Sequence, residues 1–390
     1  MRKEVPVSQL QFGMYIAELD RPWTEAPFWF QGFILHTPEE LATLKKYCRS
    51  VWVDIERSEL PEAPPRAKAV YVEKASVEQE LGAARTAYTG SESSVRATLS
   101  AVRIGRSLDA ASVKGAVRSL TESVLRNPDA MLLFSQLRKK GEYAVSHALD
   151  VAIYMTAFGR FLQLEAPQIE FLGYVGLLQD VGKVRLPNAL LEKRAPLNAA
   201  EREQAKLHVR YSAEILGATP GVPAELARVA LLHHERHDGS GYPNALRGHQ
   251  IGMIGSIAAI ADTYDALTVA RPYADAVSPS AAISTLYKSR GVHFDANLVE
   301  QFIRFIGIFP VGSLVELNSG EIGVVISQNP AERLKPRVMV IRDVKGHRLP
   351  VQKLLDLSRS PKATAEEPYR IVRSLETGFV PVSSEEIFMK

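Results

Sequence analysis

A helical repeat of apolar residues from about residue 76 to residue 306 constrains the fold of this chain more than any other feature. Apolar side chains recur there at spacings of three and four, as in Val151, Tyr154 and Phe158, and such spacing places them on one face of a helix. Turn residues, for example at 127–129, divide the repeat into separate helices. The region is therefore predicted to be a helical bundle.

The two flanks of this region instead have the pattern of short strands. At the N-terminus, a helix is predicted over Pro38–Tyr47 with Thr37 as its N-cap. The β-like runs of the flanks lie at 11–16, 32–35, 50–55, 311–317, 322–326 and 337–341. We therefore predict a mainly α protein, a helical bundle with a small N-terminal α/β module and a short C-terminal β-meander.

Changes in composition set the predicted domain boundaries. Residues 60–68, LPEAPPRAK, combine three prolines with charged residues, as exposed linkers do. The predicted segments are a small α/β module (1–60), a linker (61–75), a helical connector (76–140), the domain with the candidate site (141–309), a small β-rich extension (310–358) and a loosely ordered polar tail (359–390).

Composition excludes several classes of protein. No run approaches the roughly 20 apolar residues that cross a bilayer, and the N-terminus lacks an apolar signal region, so we expect a cytoplasmic protein without a membrane partner. Cys48 is the only cysteine, which excludes an internal disulfide and a thiolate zinc site. The net charge of +3 does not favour a nucleic-acid polymer as partner.

Six side chains that can bind metals occur inside the helical region. Asp180 follows the apolar run 175–178, and Asp262 follows the apolar run 257–261. Such a position points a carboxylate into the core of a bundle, where an unpaired charge is strongly destabilising and a bound cation removes the penalty. Imidazole and carboxylate ligands suit iron, manganese or zinc. The six residues are His147, Asp180, His208, His233, His234 and Asp262.

A glycine-rich loop follows directly on the paired histidines. Gly239 and Gly241 permit close approach of the backbone, and Tyr242 before Pro243 offers a ring with a hydroxyl tip. The loop could stack on a base or present N–H groups to a phosphate. An ordinary turn between two helices is the alternative interpretation, just as any one histidine taken alone is most often a packed or surface residue.

These motifs together resemble the HD-GYP phosphodiesterases. The segment 233–243, HHERHDGSGYP, matches the signature HHExxDGxGYP at every fixed position. The segments DVGK (180–183) and ADTYDALT (261–268) resemble the family motifs DxGK and ADxYDALT. The resemblance covers about 142–309 and implies that the helical bundle is of the HD type. The first 60 residues resemble a domain of unknown function that is often fused in front of it.

The resemblance implies a metal-dependent hydrolysis of cyclic di-GMP to linear pGpG, and in some members to GMP. Lower levels of this second messenger generally favour motility over biofilm. Two divalent ions are implied, iron or manganese with magnesium as a further candidate, one held by His147, Asp180 and Asp262 and the other by Asp180 and the three remaining histidines. GGDEF-type or other signalling proteins and a second copy of the chain are candidate partners.

The resemblance also implies the roles of individual residues. Asp180 and Lys183 would be catalytic, with Lys183 and Arg271 as cations that orient the phosphate. The implied substrate-binding residues are Lys183, Asp238, Gly239, Gly241, Tyr242, Pro243 and Arg271.

The chain departs from the family pattern where Gln179 replaces the histidine of the His-Asp pair. A neutral amide oxygen is a weaker ligand for iron or zinc than imidazole, so the first metal site should prefer a harder ion. Tyr143 stands where some relatives have a glutamate ligand for a third metal, and Ala274 where many have a basic residue. Three interpretations remain: an active phosphodiesterase, a degenerate sensor or adaptor that binds cyclic di-GMP or a protein, and a hydrolase for another nucleotide.

Overall fold

The computed structural model describes residues 2–21, 32–35, 37–54, 58, 69–138, 141–271, 275–329 and 331–376. The chain divides into two compact units, Met1–Lys68 and Ala69–Lys390. None of the helices in the described ranges combines the length and the apolar character that a membrane crossing requires. The aromatic residues at 23 and 28–30 and the segment 272–274 after Arg271 lie outside the described residues.

The described residues of the N-terminal unit form a four-stranded antiparallel sheet and one α-helix. Its strands are β1 (Arg2–Pro6), β2 (Tyr15–Leu19), β3 (Phe33–Ile34) and β4 (Ser50–Asp54), in the order β1-β4-β2-β3, and its helix is α1 (Pro38–Tyr47).

Thr37 caps α1 as predicted, because its hydroxyl accepts the N–H of Glu40 at 3.2 Å and Glu40 accepts the N–H of Thr37 at 2.9 Å. The strand at β1 was not predicted, since its charged residues resemble an exposed terminus rather than the edge strand that they form.

The second unit consists of a helical bundle followed by a sheet, so the predicted fold class is confirmed. Two of its helices, α5 and α10, are buried over most of their length and carry apolar residues on nearly all sides, which makes them the central helices of the bundle. The helices are α2 (Val77–Arg103), α3 (Ala110–Arg126), α4 (Pro128–Leu137), α5 (Tyr143–Phe161), α6 (Ala166–Leu178), α7 (Asn188–Leu191), α8 (Ala199–Gly217), α9 (Leu226–Ala230), α10 (Gly252–Thr268), α11 (Pro279–Lys288) and α12 (Ala296–Ile306).

The C-terminal sheet has five antiparallel strands in the order β8-β7-β6-β5-β9. They are β5 (Leu314–Leu317), β6 (Ile322–Ser327), β7 (Arg337–Arg342), β8 (Arg348–Asp356) and β9 (Ile371–Ser374).

The prediction of a loosely ordered tail from residue 359 was wrong for the segment 369–374. The strand β9 pairs with β5 along the edge of the sheet. Just before it, Tyr369 is buried, and its hydroxyl donates to Oε2 of Glu321 at 2.9 Å. The short strand Ile371–Ser374 therefore forms at the edge of the sheet within an otherwise polar tail, because one buried ring and the ladder hydrogen bonds anchor it.

Candidate metal centre

The six side chains predicted to bind metals converge at the centre of the bundle. The helices α5, α8 and α10 supply His147, His208 and Asp262, and the ends of two other helices supply the rest. The ligand atoms form two groups, in each of which all atoms lie within 4.8 Å of one another. The groups are His147, Asp180 and Asp262, and Asp180, His208, His233 and His234.

Asp180 belongs to both groups, and its two oxygens face different neighbours. Oδ2 lies 3.1 Å from Nε2 of His147, while Oδ1 lies 3.2 Å from Nε2 of His208 and 3.4 Å from Nε2 of His233. The carboxylate therefore has the position of a ligand shared between two adjacent cation sites.

The rings of His208 and His233 are held with Nε2 directed at Asp180. In each ring, Nδ1 lies next to a backbone carbonyl oxygen of the preceding turn, that of Ala205 at 2.6 Å and that of Ala230 at 2.8 Å. A proton on Nδ1 that is donated to the carbonyl leaves the lone pair of Nε2 free to bind a metal.

The ring of His147 is oriented by a carboxylate that sequence analysis missed. Nδ1 lies 2.6 Å from Oδ2 of Asp265, which is completely buried one turn after Asp262 on α10. The stacked ring of Tyr143 covers the other side of the imidazole, with centroids 5.5 Å apart. The segment ADTYDALT contains the signal, since a second acid three residues after Asp262 shares its helix face.

The electrostatics of the cluster favour added positive charge. Burial alone would raise the pKa of Asp180, but Lys183 and the surrounding imidazoles hold that pKa well below its usual range. Burial opposes protonation of His147, yet Tyr143 and the three adjacent acids raise the pKa of this histidine well above its usual value.

Two other histidines behave in the opposite way. Burial, followed by neighbouring positive charge, lowers the pKa of His234 well below its usual value, and burial also lowers the pKa of His208. Both rings are therefore neutral near pH 7, which is the form that binds metal ions.

The cluster contains buried oxygens that need a cation or a donor. Among the described residues, neither Oδ1 of Asp180 nor Oε1 of Gln179 has a hydrogen-bond partner, although both are shielded from solvent. The imidazoles near Oδ1 of Asp180 approach it outside hydrogen-bond geometry, as ligands of a common ion do. Neutral imidazoles and ionised carboxylates at this spacing fit divalent metal ions.

The segment after Asp180 can pack against α8 only because it contains glycine. A Cβ atom on Gly182 would lie 2.2 Å from the carbonyl oxygen of His208, and its N–H donates to the hydroxyl of Ser212 at 2.8 Å. This close contact brings Asp180 and His208 together. The following Lys183 donates to Oδ2 of Asp180 at 2.6 Å, and the two carboxylates of the cluster outweigh burial and raise its pKa.

The glycine-rich loop is fixed by Glu235, a second residue that sequence analysis missed. Its carboxylate is 1% exposed and accepts the N–H groups of Asn244 at 2.7 Å and Leu246 at 2.9 Å. Gly241 passes so close to the same segment that a Cβ atom would lie 2.5 Å from Cα of Glu235. In the sequence, this role is indicated by the fixed glutamate at the third position of the motif HHExxDGxGYP.

Among the other predicted substrate residues, Tyr242 lies against a candidate metal ligand. The ring of Tyr242 stacks on His234 with centroids 4.8 Å apart and an interplanar angle of 26°, so it borders the metal ligands directly. The carboxylate of Asp238 accepts from the N–H and hydroxyl of Ser240, which shapes the loop. Gly239 has a φ of +81°, Pro243 follows Tyr242, and Arg271 is half-buried three residues after α10.

Comparison with known proteins decides the family. The chain is 33% identical to the cyclic di-GMP phosphodiesterase PA4108 of Pseudomonas aeruginosa, over 92% of this chain and 90% of that protein. The chain belongs to the HD-GYP family. A family model described as HD domain matches residues 130–298, within which all six candidate ligands lie. Models for a domain of unknown function and for a KOW domain associated with HD domain match residues 2–113 and 314–367.

Other HD-GYP relatives match a smaller part of the chain. A cyclic di-GMP phosphodiesterase response regulator of Xanthomonas campestris is 38% identical over 37% of this chain and 38% of its own length. A 3′3′-cGAMP-specific phosphodiesterase of Vibrio cholerae is 36% identical over 40% of this chain and 30% of its own length. Relatives of this HD-GYP chain therefore have names that refer to two different cyclic dinucleotides.

Proposed function

We propose that this HD-GYP chain hydrolyses a 3′–5′ phosphodiester of cyclic di-GMP to give linear pGpG, with GMP as a further candidate product. The observation that carries the proposal is the shared position of Asp180 between the two ligand groups. The name and the nearly full-length match of the Pseudomonas relative support the substrate.

The side chains of the cluster would hold two divalent cations, which we propose to be iron or manganese, with magnesium as a further candidate. One ion would be held by His147, Asp180 and Asp262, and the other by Asp180, His208, His233 and His234. When bound, such ions lower the pKa of water and neutralise phosphoryl oxygens.

The residues around the cluster would bind and orient the cyclic dinucleotide. The ammonium of Lys183, 29% exposed and already directed into the cluster, would contact a phosphoryl oxygen, and Arg271 would provide a second cation. The face of Tyr242 that does not contact His234 would stack on a guanine base. Asp238, Gly239, Gly241 and Pro243 would shape the loop on which that ring is held.

A specific observation favours a second candidate function, that of a sensor or adaptor with little catalysis. Gln179 occupies a buried position in the cluster, and its Nε2 lies 3.4 Å from Oδ1 of Asp262. An amide there supplies no charge and a weaker ligand than imidazole. The retained acids favour catalysis, since a pure scaffold has no chemical reason to keep Asp180 and Asp262 buried.

The decisive experiment is a turnover assay on the full chain. Protein loaded with Mn²⁺ or, without oxygen, with Fe²⁺ is incubated with cyclic di-GMP, and the products are separated by chromatography. We expect pGpG to accumulate and Asp180→Ala to abolish its formation. A parallel reaction with 3′3′-cGAMP tests the other cyclic dinucleotide.

Three results would contradict the proposal. Binding of cyclic di-GMP without turnover in any metal would establish the sensor function instead. Turnover of 3′3′-cGAMP but not of cyclic di-GMP would show that cyclic di-GMP is not the substrate. If metal analysis found no bound ion after loading, the proposed metal-dependent hydrolysis would be excluded.

A further inference from the structure

A second cavity lies away from the metal centre, between the bundle and the C-terminal sheet. Its volume is about 430 Å³, and its walls come from α4, α5, α10, the ends of α11 and α12 and the segments next to β5 and β9. None of the six candidate metal ligands and none of the glycine-rich loop is among its described lining residues.

The helix α10 separates this cavity from the metal centre. Tyr264 and Thr268 line the cavity, whereas Asp262 and Asp265 belong to the metal centre. At about 100° per residue, Tyr264 points almost opposite to Asp262, whereas Asp265 lies about 100° from Tyr264 and about 60° from Thr268 around the helix. The cavity therefore faces away from Asp262, and Asp265 lies between the cavity wall and the metal centre.

Aromatic rings form one wall of the cavity. The rings of Tyr154 and Tyr264 pack at 88° with centroids 5.2 Å apart, and both side chains are almost completely buried. Gln136 donates to the hydroxyl of Tyr154 at 2.7 Å, which leaves the hydrogen of that hydroxyl available to a ligand. The rest of the lining mixes apolar side chains with serine, threonine and glutamine side chains, and the volume of the cavity is sufficient for a small molecule.

A buried acid lines the same cavity. Asp129, 9% exposed, accepts the N–H of Gln328 at 3.1 Å, and it takes part in no ion pair with the described residues. Burial raises the pKa of this carboxyl to about 7, because it outweighs the N–H of Gln328 and the more distant positive charges of Arg160 and Arg337, which lower the pKa. A cation beside it would restore the charge that burial disfavours.

The charge of the lining restricts the ligand. Among the described residues that line the cavity there is no lysine, arginine or histidine, whereas Asp129 and Glu376 are both acidic. A phosphate or carboxylate would be desolvated there without a counter-charge, so the lining disfavours a cyclic dinucleotide. An organic cation would form an ion pair with the acid and contact the faces of the rings.

We propose that this cavity binds a small organic amine, with its apolar body against Tyr154 and Tyr264 and its protonated nitrogen paired with Asp129. The site is independent of the proposed hydrolysis, because it shares no side chain with the metal centre. Its occupant is defined by chemistry: one protonated nitrogen on a compact apolar or aromatic body.

Three probes with the same indole body test the proposal by calorimetric titration of the full chain. They are tryptamine, tryptophol and indoleacetate, which differ only in an amine, an alcohol or a carboxylate. We expect tryptamine to bind at least about tenfold more tightly than tryptophol, as a charge-assisted pair contributes more than a neutral one, and indoleacetate to bind least.

Two variants and a control locate the binding. Asp129→Asn keeps the shape and the acceptor for Gln328, and it should reduce tryptamine to the affinity of tryptophol. Ser280→Trp places a large ring at the exposed edge of the cavity and should weaken both probes. Asp275→Asn, at an exposed acid outside the lining, should change nothing.

Several results would overturn the proposal. They are equal binding of the three probes, no binding of tryptamine, or an unchanged preference for the amine in folded Asp129→Asn. Unaltered binding in Ser280→Trp would place the probes elsewhere. Circular dichroism and melting of each variant establish that it is folded before it is titrated.

Discussion

The carboxylate of Asp265 lies 2.6 Å from Nδ1 of His147, and both side chains are almost completely buried. This contact leaves Nε2 of the imidazole to face Asp180 and Asp262, each at 3.1 Å. Asp265 is thus a positioning residue for a candidate ligand, and it belongs to neither of the two groups of candidate ligands.

The first prediction concerns this positioning role. In Asp265→Asn, the amide can donate to Nδ1 and stabilise the tautomer with its proton on Nε2, which cannot bind a metal. We expect the affinity for Mn²⁺ to fall by about tenfold to hundredfold. Competition against a chelator of known affinity measures the affinity for Mn²⁺, and Asp275→Asn is the control. Equal affinities in variant and control would show that Asp265 has only a structural role.

Gln179 is the subject of the second prediction. Its side chain is 1% exposed, and Oε1 has no partner among the described residues. An imidazole at this position would lie next to the buried acids and would supply a further metal ligand. We expect Gln179→His to raise metal content and affinity. Metal analysis after dialysis measures the change, with Gln204→His on the exposed face of α8 as the control. No gain over that control would mean that Gln179 does not occupy a vacated ligand position.

The ligand positions could be recognised from the sequence because each is marked locally. Asp180 and Asp262 each follow an apolar helical run, and His233 and His234 begin a signature with two glycines. The segment ADTYDALT shows that Asp265 shares a helix face with Asp262, but the contact of Asp265 with His147 depends on α5 packing against α10, more than 100 residues apart along the chain. The edge strand β9 is similar, because it is a short strand in an otherwise polar tail and its pairing with β5 joins residues that are distant along the chain.

The third prediction tests the support of the glycine-rich loop. Glu235→Gln keeps one acceptor for Asn244 or Leu246 but turns the other position into a donor, and a hydrogen bond to a charged group contributes about 1.5–3 kcal/mol. We expect the KM for cyclic di-GMP to rise by about tenfold, with a smaller change in kcat and unchanged metal content. Glu225→Gln, at an exposed acid before α9, is the control. A loss of metal together with kcat would show instead that Glu235 supports the cluster itself.

The last prediction concerns the pH dependence of stability. The folded protein keeps the proton of Asp129 up to about pH 7, because burial raises its pKa from 3.8 to about 7. The unfolded chain releases this proton near the ordinary pKa of the carboxyl, 3.8. Between that pH and about pH 7, the unfolded chain therefore binds fewer protons than the folded state. The contribution of Asp129 to the free energy of unfolding therefore falls as the pH rises, by about 4 kcal/mol at about 1.36 kcal/mol per pH unit.

The variant Asp129→Asn has no titrating group at this position but keeps the acceptor for the N–H of Gln328. The free energy of unfolding of the variant should therefore lack the pH-dependent contribution of Asp129. Urea unfolding of both proteins at about pH 5 and about pH 8 measures the difference. We expect the variant to gain stability relative to the parent as the pH rises, since only the parent must then bury an ionised carboxylate. A constant difference between the two proteins across this range would mean that Asp129 is ionised throughout and that a cation of the protein already pairs with it.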